Sequence, residues 1–351
     1  MKRFALIISL FVLISLACSL GGIIDRSQES PAAEVAEENA EPSSPDDKPV
    51  LSDSQRRCGD GVCDGPENKE NCPDDCNPPQ GESEQPGSGA VSEHWVTNPT
   101  TGAELYVHIT YPGDEEAGPF PALVVVPGGI GAGNNFRTPG AMAEALAEVG
   151  IVAVTFDPDG RGQSEGAEDY NGHAQQDGLA AVIEYATTLS RVDPKRIGLA
   201  SFSYGITMAS GTLARHPDLP VLFLMDWEGP ADRFDTTVEC SNSTRIDFNP
   251  CDDDPYWGQR EALVFISDVR VPYQRLQSEK DHVQPDVSHA INMVNNAVNG
   301  GAPWVRLNDL PPDQTYDPEN PPAMIPDTMD RGLDLLAVQY AQELFALHRA
   351  P

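Results

Sequence analysis

The apolar positions of this chain fall into two regimes. From about Val91 onward, short unbroken apolar runs alternate with longer stretches of helical period. A run such as Ala122–Val126 is too brief for a helix and rich in valine, so it reads as a strand buried on both faces. Leu105–Tyr111, Ile151–Phe156, Arg196–Ala200, Val221–Met225, Tyr273–Gln277 and Trp304–Asn308 follow the same rule. The predicted helices are Pro139–Glu148, His173–Leu189, a stretch ending near Arg215, Pro285–Asn299 and Arg331–Leu347. Such alternation predicts βαβ units, and with them an α/β domain over 91–351 with a mostly parallel central sheet and helices on both faces. No internal repeat is visible.

Before Val91 the pattern is different. Lys2 and Arg3 precede the apolar run Phe4–Ala17, which is shorter than the roughly 20 residues of a comfortable span and reads as an export signal over 1–18. Its end, Ser15-Leu16-Ala17-Cys18, resembles a bacterial lipoprotein signal, although that signal more often has Leu where Ser15 stands. The resemblance implies lipidation of Cys18 and attachment to a membrane; an ordinary cleaved signal is the alternative. Residues 19–57 and 77–90 are rich in Pro, Glu, Ser and Gly, bury too little to offset ordering entropy, and read as a disordered acidic linker and a second spacer.

Cysteine usage agrees with export. Of seven cysteines, Cys58, Cys63, Cys72 and Cys76 form one local group, and Cys240 and Cys251 a pair. Even numbers at close spacing in an exported chain predict disulfides, whereas the spacings lack the two-residue knuckle of a zinc site. Residues 58–76 have almost no apolar content, so cross-links must order this small disulfide-rich module. Its acids include Asp60, Glu67 and Asp75, hard oxygen ligands of the type calcium takes. The segment is similar to small Notch-type calcium-binding repeats, which implies calcium there; a disulfide knot with solvated acids is the alternative.

Formal net charge is -33, which repels phosphate backbones and excludes nucleic acid as a partner.

The chemistry concentrates where strands meet helices. The predicted strand Arg196–Ala200 enters a helix through Ser201-Phe202-Ser203-Tyr204-Gly205. A nucleophile on so tight a turn needs small residues two positions either side, and Ser201 and Gly205 qualify. Val124-Val125-Val126 runs into Pro127-Gly128-Gly129-Ile130-Gly131, where glycines let amides turn toward a ligand. Ile151–Phe156 leads into Asp157-Pro158-Asp159-Gly160-Arg161-Gly162-Gln163-Ser164. Together these three segments resemble the α/β-hydrolase superfamily, in particular dienelactone-hydrolase-like and prolyl-peptidase-like enzymes, with Ser201 in place of the elbow's first glycine.

That resemblance implies an α/β-hydrolase fold, Ser203 as nucleophile, and an oxyanion site from the Tyr204 amide and that of Gly129 or Ile130. It implies no cofactor for catalysis and a small ester or peptide as substrate. It also implies Asp281, in the loop after Tyr273–Gln277, as the acid, with Asp226 and Glu228 as rivals after the preceding strand. The base is expected in the loop after the last strand, yet Asp309–Tyr316 contains no histidine. His289 is the preferred substitute, with His282 second. An inert binding protein that has lost its base is the competing reading. Residues 229–258 occupy the place where this fold often carries a lid, stapled here by Cys240 and Cys251, with Tyr256 and Trp257 lining a pocket or packing the lid down.

Overall fold

The structure is a computed structural model of the 351-residue chain, and it describes residues 90–113, 118–138, 141–235, 251–326 and 333–348. The expectations for Cys18, for both spacers up to residue 89, for the module with Cys58, Cys63, Cys72, Cys76, Asp60, Glu67 and Asp75, and for Cys240 lie outside the described residues.

Eight strands build one sheet: β1 (Val91–Thr97), β2 (Glu104–Thr110), β3 (Phe120–Val126), β4 (Val152–Phe156), β5 (Val192–Phe202), β6 (Val221–Trp227), β7 (Tyr273–Leu276) and β8 (Val305–Leu307). Their order is β1-β2-β4-β3-β5-β6-β7-β8. The first two pairings, β1 with β2 and β2 with β4, are antiparallel, and every later one is parallel. The helices are α1 (Met142–Glu148), α2 (His173–Thr188), α3 (Gly205–Arg215), α4 (Asp254–Trp257), α5 (Ala262–Ile266), α6 (Ser288–Gly300) and α7 (Leu333–Leu347).

The central strands are buried on both faces, as their unbroken apolar runs require. All seven residues of β3 and all five of β4 are buried. Side chains alternate across a strand. Ala122, Val124 and Val126 therefore face one core, against Leu179 and Ile183 of α2, Met208 of α3 and Ile291 of α6. Leu123 and Val125 face the other, against Met142 and Leu146 of α1 and Ala341 and Leu344 of α7. Each such side chain contributes about 1.5–3 kcal/mol on burial.

Several boundaries differ from the sequence reading. β1 was not expected, because Val-Ser-Glu-His-Trp-Val-Thr mixes polar and apolar positions as an edge strand does, and Trp95 is left exposed. β5 starts earlier than Arg196, since Val192 pairs with Phe120 ahead of a register shift. Within the lid-like insertion, α4 is capped by Asp253, whose side chain accepts from the Tyr256 amide at 3.2 Å. Trp257, the last residue of α4, is fully buried, so of the two readings for that residue the structure takes packing.

Candidate active site

Parallel strands bring the ends of β3, β5, β6 and β7 to one edge of the sheet, and the chemistry gathers there. β5 passes into α3 through Ser203, whose φ of 50° lies in the left-handed region. A non-glycine residue held there costs on the order of 1–3 kcal/mol, so the surroundings must enforce it. They do so by crowding. A Cβ on Gly128 would meet Phe202 O at 2.7 Å and Ser203 Cβ at 2.9 Å, and one on Gly205 would meet Pro127 O at 2.6 Å. The loop after β3 thus lies against the elbow with no room for a side chain. Ser201 fits because its hydroxyl points to Met225 O at 3.4 Å.

The Ser203 amide donates to Trp227 O at 2.8 Å, tying the elbow to β6. Ile206 and Thr207 then donate to the carbonyls of Ser203 and Tyr204 and start α3. The Tyr204 amide stands ahead of these bonds, at a helix N-terminus that favours negative charge. Gly129 (φ 57°) and Ile130 lie across from it on the exposed turn after β3.

Arg161 braces these two loops. It grips Glu168 with two bonds of 2.7 Å, reaches Asn171 Oδ1 at 2.9 Å, and touches Gly131 O at 3.4 Å. Asn171 in turn donates to Tyr204 O at 2.8 Å. One guanidinium fork thereby links the glycine turn to the elbow.

The imidazole facing Ser203 is that of His282. Its Nε2 lies 2.9 Å from Ser203 Oγ and its Nδ1 2.8 Å from Glu228 Oε2. With Nδ1–H donating to the carboxylate, Nε2 is left to accept from serine. Glu228 follows β6 with a φ of 47° and is 1% exposed. Burial pushes its carboxyl up, but hydrogen bonds from His282 and Ser278 outweigh burial and hold it below its ordinary value. Trp227 stacks on the His282 ring at 5.0 Å between centroids and 21° between planes.

Of the sequence-predicted site residues, then, Ser203 and Tyr204 form the elbow, and Gly129 and Ile130 follow Gly128, the residue of that turn packed against Ser203. Asp281 and His289, the preferred acid and base, are placed otherwise. Asp281 Oδ1 is 3.4 Å from His282 Nδ1, farther than Glu228. The nitrogen of His289 lies 3.2 Å from Asp281 Oδ2, and the ring is 1% exposed behind the loop, so it faces Asp281 rather than Ser203. Asp226 is bound in a fully buried pair with Arg275 and to the Tyr273 hydroxyl at 2.8 Å. The residues that do meet Ser203 were the lesser candidates. Their signal was position alone: Glu228 immediately after β6, and His282 in the loop after β7. Glu228, Asp281 and His282 also offer ligand atoms within 4.8 Å of one another. Because Nδ1 already faces Glu228 at 2.8 Å, they read as a hydrogen-bonded cluster rather than a cation cage.

Comparison with known proteins bears on the fold and on part of the chain. The X-Pro dipeptidyl-peptidase (S15 family) pattern matches residues 101–238, a span that holds Ser203 and Glu228 but stops before His282. Solved structures superpose over most of the chain. Dipeptidyl peptidase 4 from Porphyromonas gingivalis gives a TM-score of 0.55 at 18% identity, covering 74% of this chain and 36% of that one. Est1E from Butyrivibrio proteoclasticus, with ferulic acid bound, gives 0.54 at 16%, covering 74% of this chain and all of Est1E. The fold is the α/β-hydrolase fold. An uncharacterized protein of Escherichia coli (strain K12), YcjY, is 34% identical over 111 residues, which is 31% of this chain and 35% of that protein. The chain thus matches about a third of the length of that relative and of the dipeptidyl peptidase.

Proposed function

We propose that this chain is an exported serine hydrolase acting on small esters or peptides. The observation that carries the reading is the continuous relay from Ser203 through His282 to Glu228. Support comes also from the S15 match and from a fold shared with structures named as peptidases and as an esterase.

The chemistry follows from the geometry. Ser203 Oγ attacks the substrate carbonyl carbon while Nε2 of His282 takes its proton. Glu228 holds the ring in the required tautomer and offsets the charge of the imidazolium that forms. The amides of Tyr204 and of Gly129 or Ile130 receive the developing oxyanion. His282 then returns the proton to the leaving group, and water repeats the cycle on the acyl-enzyme. In this reading His282, after β7, stands in for the base absent from Asp309–Tyr316, which favours catalysis over the competing inert reading.

Ester and peptide substrates are told apart by turnover of p-nitrophenyl esters against peptidyl p-nitroanilides. The account expects hydrolysis in at least one series and none by Ser203→Ala. Turnover undiminished in Ser203→Ala would place the chemistry elsewhere.

A further inference from the structure

One nitrogen of His282 faces two carboxylates. Glu228 Oε2 approaches Nδ1 at 2.8 Å from the end of β6, and Asp281 Oδ1 approaches it at 3.4 Å from the loop after β7. Both side chains are buried. Like charges so close repel, and Asp281 does press the Glu228 carboxyl upward. A second carboxylate therefore stays ionised only if something else holds it.

Asp281 is held on both oxygens. Oδ1 accepts from the amides of Val283 and Gln284, each at 2.8 Å. Oδ2 accepts from Gln277 Nε2 at 3.0 Å and lies 3.2 Å from His289 Nε2. His289 presents its other nitrogen to Gly229 O at 3.1 Å, with Arg275 Nη2 3.4 Å from that same nitrogen. Gln277 is fixed by Arg275 at 2.6 Å, and Arg275 by Asp226. Burial alone would raise the Asp281 carboxyl, but the close approach of His289 and the bonds from Gln284 and Gln277 hold it well below the usual carboxylate range. An aspartate that only closes a turn needs no more than the two amides. Here Gln277, just past β7, supplies a further donor and His289 of α6 lies close by, and the result is a fixed negative charge pointed at His282.

We propose that Asp281 is a second positioning carboxylate for His282, sharing with Glu228 the support of the imidazolium and taking over when Glu228 is lost. This rests on the reading of His282 as the base. Coulomb attraction falls as 1/r, so a charge at 3.4 Å supplies about four-fifths of what one at 2.8 Å supplies (2.8/3.4). A movement of a few tenths of an ångström would bring Nδ1–H into ordinary hydrogen-bond range of Asp281. The charged or titratable groups facing His282 are Ser203, Glu228 and Asp281, with His289 and the Arg275–Asp226 pair behind them.

The test is a double-mutant cycle on the full chain, reading kcat/KM against pH for Glu228→Gln, Asp281→Asn, their double and Asp281→Glu. Loss of the sole acid of a serine–histidine–acid site costs on the order of 10⁴-fold. With Asp281 in reserve, Glu228→Gln should lose about 10–100-fold, Asp281→Asn less than about 10-fold, and the double about 10⁴-fold, more than the product of the two. Each single change should move the acidic limb to lower pH, since removing negative charge favours the neutral imidazole. Asp281→Glu should restore the limb. A double variant no slower than Glu228→Gln, or an Asp281→Asn limb unmoved from the parent, overturns the proposal. If Asp281→Asn does not fold by circular dichroism, Glu228→Gln decides alone. It must retain the downfield Nδ1–H resonance of His282 and a rate at least about 10-fold above His282→Ala; a rate equal to His282→Ala overturns the proposal. Parent-level activity in His282→Ala would instead sink the assignment of the base, leaving Asp281 with nothing to support.

Discussion

Arg275→Met removes the cation beneath the site. Arg275 and Asp226 are both 0% exposed, and the guanidinium also donates to Gly229 O at 2.8 Å and to Gln277 Oε1 at 2.6 Å. Without it, the Asp226 carboxylate keeps the Tyr273 hydroxyl at 2.8 Å but loses its counter-charge in a site closed to water. Breaking a buried pair from one side costs about 3–5 kcal/mol, mostly the penalty of the stranded charge. In a domain of this size each kcal/mol moves Tm by about 2–4 °C, so the expected fall is about 6–20 °C. Thermal unfolding followed by circular dichroism measures it. Removing the stranded charge as well, in Asp226→Leu with Arg275→Met, should recover at least about half of the loss, because an apolar pair of similar volume is often neutral. A single-variant fall below about 3 °C, or a double variant no more stable than the single, would refute the reasoning.

Three further outcomes follow, two from the structure and one from the sequence. Gly128→Ala should cut ester turnover by at least about 10²-fold with a small change in Tm, since the new Cβ pushes on Phe202 O and Ser203 Cβ and misplaces the nucleophile; parent-like kcat would contradict the crowding argument. Asp281 is held below the usual carboxylate range, so its contribution to stability is present above the unfolded value near about 3.9 and lost only as pH falls through the lower folded value. The stability gap between parent and Asp281→Asn, read from urea melts, should therefore be constant from about pH 7 to 5 and close in stronger acid; a gap that closes above about pH 5 would be inconsistent with that depression. Cys18→Ala should move the protein from the membrane to the soluble fraction, and equal partitioning of variant and parent would remove the lipid-anchor reading.

The sheet was legible because its central strands are buried on both faces, and only continuous apolar runs such as Leu123–Val126 survive there. The edge strand β1 escaped notice for the converse reason, since one edge in water permits Ser92, Glu93 and His94 within it. The elbow at Ser203 could be read locally because its crowding acts on residues two positions away. Acid and base could not. Glu228 and His282 are 54 residues apart in sequence, and Ser203 and His282 are 79 apart. Which of two carboxylates meets the imidazole is decided by how β6 and β7 end, with Glu228 turned inward at positive φ and Asp281 drawn back by Gln277 and His289. Asp281 carried the expected acid-loop pattern and His289 only a position near the same sheet edge, yet packing gave them to each other.

The central claim is that His282 activates Ser203, and the rate of covalent labelling by a fluorophosphonate tests it most directly because the probe needs no knowledge of substrate. The parent should be labelled at Ser203, located by mass spectrometry of the modified peptide, and His282→Ala should react at least about 10²-fold more slowly with its Tm little changed. A parent that resists the probe, or a His282→Ala variant labelled at the parent rate, would contradict the account.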